Sequence, residues 1–103
     1  MPYYNITAVK KILGETGTTN DNKIQRYGSI ADNYINSDLV SVEPTLPLTT
    51  VPQEITDIAN ELTTAYFFKF ESGDVITAEQ AEKTWDKYFI GKYKRPKFYS
   101  TSG

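Results

Sequence analysis

Glu54, Asp57 and Glu61 are spaced three and four residues apart, which puts three carboxylates on one face of a helix. Such a cluster does acid–base chemistry when one member is buried deeply enough to hold its proton near neutrality. Here Ile55, Ile58, Ala59 and Leu62 run between them, so the acids fall on the polar side of an amphipathic stripe and form a solvated face. Glu79, Glu82 and Asp86 make no better pair. Gly14-Glu15-Thr16-Gly17 is a glycine loop without the pattern or the following lysine that cradles phosphate, and it suits a helix stop. Asn20-Asp21-Asn22 offers oxygen ligands without the distal glutamate of a calcium loop; N-capping is the simpler role. The chain has no His and no Cys, which removes zinc sites, thiol nucleophiles, His-based triads and disulfide scaffolds. The expectation is a protein that is not an enzyme and uses neither cofactor nor metal.

Two other constellations stand out, and both suit contact rather than catalysis. Tyr66, Phe67, Phe68 and Phe70 place aromatics almost all round a helix, whereas one helix buries a stripe of roughly 100° against its own core. Either that helix is sunk in the centre of the domain, or one side meets another subunit. Lys92-Tyr93-Lys94-Arg95-Pro96-Lys97-Phe98-Tyr99 interleaves cations with aromatics. This pattern docks on an acidic protein surface, binds nucleic acid through phosphates and stacking, or forms a solvated end.

Charge distribution favours the first of these. Residues 1–86 carry six Lys and Arg against thirteen Asp and Glu, a net −7, while residues 87–103 carry five cations and no acid. An acidic body repels a duplex lying across it, and a basic segment on such a body points to a partner.

The elements that must hold these residues follow from 103 residues, enough for one domain. With 39% hydrophobic and 14% aromatic residues, a domain of this size cannot hide all its rings. No apolar run approaches the ~20 residues of a membrane span, and MPYYNITAVKKILG has no apolar signal region, so no membrane contact and an intracellular setting are expected. Asn5-Ile6-Thr7 is a glycosylation sequon with no secretory signal to use it.

A short helix capped by Thr7 runs to Leu13 and stops at Gly14. A second opens at Asn20 or Asp21, with Ile24, Tyr27, Ala31, Tyr34 and Ile35 as its apolar stripe and Gly28 as a point of close helix packing. Residues 37–51, with Pro44, Pro47 and three valines, predict an extended loop or a short β-ribbon. A third helix starts near Pro52, carries Ile55, Ile58, Ala59, Leu62, Ala65 and Tyr66, and breaks at Glu71-Ser72-Gly73-Asp74. Thr77 and Gln80 make a capping box for a fourth, from Ala78 to Ile90, ended by Gly91. The predicted fold is all-α: a small four-helix domain over 1–90 and an extended basic, aromatic tail over 91–103.

The ordering of these elements resembles the head–tail connector (head completion, adaptor) proteins of tailed bacterial and archaeal viruses. The resemblance spans roughly residues 5–90. It rests on Ile24-x-x-Tyr27-x-x-x-Ala31-Asp32-x-Tyr34-Ile35, the join Pro47-Leu48-x-x-Val51-Pro52-x-x-Ile55, the helix with Ile58-Ala59 and an aromatic end, and a last Trp/Tyr helix. It implies a structural virion protein of the neck, assembled in the host cytoplasm as a twelve-subunit ring between the portal and a downstream tail or stopper protein. DNA would pass through the channel without specific binding, along an acidic wall. The resemblance also implies protein contacts from the loop and the C-terminal segment. With the surplus aromatics, the expected subunit interface is Tyr66, Phe67, Phe68, Phe70, Val40, Val42, Leu46 and Leu48. The expected docking residues, with the portal as partner, are Lys92, Tyr93, Lys94, Arg95, Lys97, Phe98 and Tyr99. The rival reading is a small helical nucleic-acid-binding protein that uses the same basic tail.

Overall fold

Ile55, Ile58, Ala59, Leu62, Ala65 and Tyr66 recur at helical spacing, and in the structure, a computed structural model that describes residues 2–94, all six are buried in one helix. The described residues form four α-helices and no strand: α1 (Ile6–Leu13), α2 (Asp21–Leu39), α3 (Gln53–Ser72) and α4 (Val75–Tyr93). α3 packs against all three others, with α2 and α4 making its longest contacts. Its middle is covered all round, since every residue from Leu62 to Tyr66 is buried. The two threonines in that run satisfy their hydroxyls locally, Thr63 on the Ala59 carbonyl at 2.7 Å and Thr64 on the Asn60 carbonyl at 2.9 Å. A buried hydroxyl without such a partner would cost about 1–3 kcal/mol.

The apolar faces of α2 and α4 turn to this core, whereas in α1 only Val9 is buried and Ile12 is exposed. Ile24, Tyr27, Ala31 and Ile35 of α2, and Ala81, Trp85 and Phe89 of α4, are buried. Trp85 donates its indole N–H to the buried Asp38 carboxylate at 2.7 Å, which locks the end of α2 to α4.

Several predicted boundaries shift, each for a local reason. Asn5 caps α1 in place of Thr7, its side chain accepting from the Ala8 N–H at 3.1 Å. Asp74 caps α4 in place of Thr77, accepting both the Thr77 N–H and its hydroxyl. Asn20 occupies the cap position of α2, yet its side chain is turned to Glu15. α2 continues through Ser37, Asp38 and Leu39 because Asp38 and Leu39 have buried partners to reach. Residues 40–52 follow as turns and bends, with no ribbon strand. α4 runs through Gly91 to Tyr93, because Tyr93 packs on Phe89 at 5.0 Å between ring centres and donates its hydroxyl to Glu43. Lys94 takes the left-handed cap position that a glycine usually fills.

The N-terminal segment, which carries no helical signal, is the clasp of the fold. Tyr3 is buried; its N–H reaches the Asp32 carboxylate at 3.2 Å, and its hydroxyl donates to Asn36 at 2.6 Å and accepts the Leu48 N–H at 2.9 Å. The Asn5 N–H donates to Asn60 on α3 at 2.7 Å. Gly28 does serve a close approach, but to the Tyr4 ring rather than to a helix: a Cβ there would lie 2.3 Å from a ring carbon. Gly28→Ala is therefore expected to destabilise the protein by about 1–3 kcal/mol despite its better helix propensity. Chemical denaturation of Gly28→Ala, Tyr4→Ala and the double variant checks this, because the double variant should lose less than the sum of the two.

Candidate interaction surfaces

The last turns of α3 and the first turn of α4 share one end of the molecule, joined by Gly73 at φ 74°. Tyr27 of α2 organises the rings there. It stacks on Phe70 at 5.5 Å, meets Phe67 edge-on at 5.8 Å, and donates its hydroxyl to Glu71. Lys23 pairs with the same carboxylate at 2.9 Å, and these two hydrogen bonds, Tyr27 first, hold Glu71 below the ordinary carboxylate range.

The aromatics do not all face outward. Tyr66 is only 3% exposed, with its hydroxyl on Glu82 at 2.8 Å; burial first, and then that hydrogen bond, push its pKa up. On the single chain Tyr66 is thus a core residue with no surface to offer a neighbour. Phe67 is half-buried against the core. Phe68 and Phe70 are 38% and 52% exposed, and Val75 and Ile76, which the sequence reading passed over, are exposed beside them at the same end. Their signal was available, since Asp74-Val75-Ile76 puts two apolar residues directly after a cap.

The loop positions lie at the other end. Val40 caps the C-terminus of α2 and is 68% exposed. It is thirteen residues beyond Tyr27, roughly 20 Å along the helix at 1.5 Å per residue, so it cannot join the Phe68–Phe70 patch on one chain. Val42, Leu46 and Leu48 are partly buried and packed against the core. Tyr3 holds Leu48 in place from inside.

Of the predicted docking residues, Lys92 and Tyr93 belong to the last turn of α4 and Lys94 is its cap. The Lys92 ammonium lies 6.0 Å from the ring centres of both Tyr88 and Tyr93. Burial first, and then the Glu43 hydrogen bond, raise the Tyr93 pKa. Arg95, Lys97, Phe98 and Tyr99 lie outside the described residues.

Shallow concavities run along the helices. One, of about 500 Å³, lies along α2 between Gln25 and Asn36, with Pro2, Tyr4 and Pro47 opposite and Asp32 at its foot. A second, of about 520 Å³, runs between α3 and α4 with Ile58 and Tyr88 in its lining. Among the described residues no group of three or more acidic side chains is placed to hold a metal ion, and no helix is long and apolar enough to cross a membrane. No family model matches the chain, and no curated protein or solved structure matches it either.

Desolvation lifts the Asp32 carboxyl to about 6 from an ordinary 3.8, against the pull of the backbone N–H groups it accepts. A carboxyl raised on folding favours the folded state while protonated and loses that advantage as pH rises through its folded pKa. Between about pH 4 and pH 6 the wild type should lose roughly 1 kcal/mol relative to Asp32→Asn, a figure already reduced for solvent screening at a half-exposed group. Urea titrations of both proteins across that range check the sign and the window.

Proposed function

We propose that this chain is a structural subunit, a ring-forming head–tail connector that joins a portal to a tail and extends the DNA channel. The observation that carries the reading is where the exposed apolar side chains gather. Phe68, Phe70, Val75 and Ile76 lie together at one end of the helical body and Val40 lies at the other, while Ile12, Ile30 and Ile90 are exposed singly on α1, α2 and α4. Two different surfaces at opposite ends favour head-to-tail pairing, and head-to-tail contacts close into rings when the rotation per subunit divides the circle. Exposed rings of this kind on so small a body are the usual mark of a protein surface awaiting a partner.

The resemblance to head–tail connectors adds the setting: a virion neck, a portal above and a tail or stopper protein below. The net −7 of residues 1–86 suits a channel wall along which DNA slides, since like charge opposes phosphate binding. The C-terminal cations then serve contact with another protein chain, where they steer encounter and fix orientation.

Light scattering on the purified protein, alone and with portal, tests the reading. The expected result is a mass many times that of the 11.7 kDa chain, at least once portal is present. Phe68→Ser should cost under about 1 kcal/mol of folding stability, as an exposed substitution does, while sharply reducing the assembled fraction. A chain that stays monomeric under both conditions, or a Phe68→Ser variant that assembles normally, would count against this function.

A further inference from the structure

The groove between α3 and α4 is lined by Ile58 and Tyr88, with Glu54 and Asp57 along its α3 side and Thr84 and Lys87 along its α4 side. Glu61 stands on the same face of α3, one turn further on, and is also exposed. Among the described residues, none of these three carboxylates makes an ion pair. The groove is therefore a shallow, largely apolar strip whose α3 bank carries three acids against one cation, Lys87, on the α4 side.

The sequence contains one segment with the complementary pattern. Arg95, Lys97 and Tyr99 alternate with Pro96 and Phe98. Proline biases the residue before it towards extended backbone, and in an extended chain alternate side chains share a side about 6.6 Å apart. Glu54, Asp57 and Glu61, three and four residues apart on a helix, are separated by about 4.5 and 6 Å along its axis. Two cations on one edge of an extended segment would thus match successive carboxylates of the bank, with residue 98 falling on the opposite edge.

We infer that this groove binds the Arg95–Tyr99 segment of a second copy of the chain, as a strap between neighbouring subunits. The inference rests on the ring-forming reading and names one contact within it. Lys92 favours a neighbour's segment over the chain's own. Its ammonium sits over Tyr88 and Tyr93 in the last turns of α4, so a segment doubling back from Lys94 along that helix would carry its cations past a third. A neighbour's segment can enter from the Glu61 end without crossing it.

Sedimentation of the full-length chain over a range of concentration and salt tests the strap. Self-association should weaken with salt. Glu54→Lys with Asp57→Lys should weaken it roughly ten-fold, the scale of two exposed pairs lost and replaced by repulsion, as should Arg95→Glu with Lys97→Glu. Helical circular dichroism and melting temperature should not change. All four substitutions together should restore association, a rescue that general damage would not give. If the wild type assembles and neither pair of substitutions weakens it, the strap is wrong and the connector reading stands. A monomeric wild type whose melting temperature drops on truncation after Lys94 would give the groove to the chain's own segment. Truncation that removes portal binding or DNA retention, but leaves self-association intact, would give the segment to those partners. Each of these three results overturns the inference.

Discussion

A stretch of helix buried on all sides must be surrounded, and that requirement on the middle of α3 organises the protein. From Leu62 to Tyr66 every residue is buried, so α1, α2, α4 and the N-terminal segment each have a face to cover. Packing of this kind tolerates polar atoms only when they are satisfied. Each is: the two threonines bond back to their own helix, Asn60 accepts from the N-terminal segment, and the Tyr66 hydroxyl reaches Glu82. The aromatic run that looks excessive in the sequence is therefore divided. Tyr66 belongs to the core, Phe67 straddles its boundary, and only Phe68 and Phe70 are left over.

Long-range hydrogen bonds from tyrosine and tryptophan do the work that a small domain without disulfides must find elsewhere. Tyr3, Tyr27, Tyr66, Trp85 and Tyr93 each tie one element to another through a polar tip. Their rings supply apolar area and their tips supply direction, a combination aliphatic residues lack. Each tip meets an acid or an amide, so part of the negative charge of the body is committed internally. Asp38, Glu43, Glu71 and Glu82 are of this kind. Glu54, Asp57 and Glu61 are not: they stand exposed on α3, where Asp57 accepts only from the neighbouring Gln53 side chain among the described bonds.

The surface that remains is asymmetric along the helix axes. One end presents phenylalanines and the Val75–Ile76 turn; the other presents Val40, the loop and the basic end of α4. A body with unlike ends suits a subunit that repeats in one direction.

The sequence by itself determined the four helices and the inner faces of α2 and α3. Apolar spacing near 3.6 residues is a local property, and Ile24, Tyr27, Ala31 and Ile35, like the α3 stripe, went where that spacing put them. Glycine stops at Gly14 and Gly73 were equally legible, because glycine alone adopts a positive φ without steric cost. What only the tertiary structure decided was everything that depends on a partner distant in sequence. Ser37–Leu39 and Gly91–Tyr93 are helical because Trp85, Phe89 and Glu43 reward it, against local signals for a loop and a stop. Tyr3 and Tyr4 became the clasp because α2 offers Asp32, Asn36 and a bare Gly28 at the right heights. Which aromatics stay exposed was likewise a matter of what covers α3, and no spacing rule along one helix contains the positions of its neighbours.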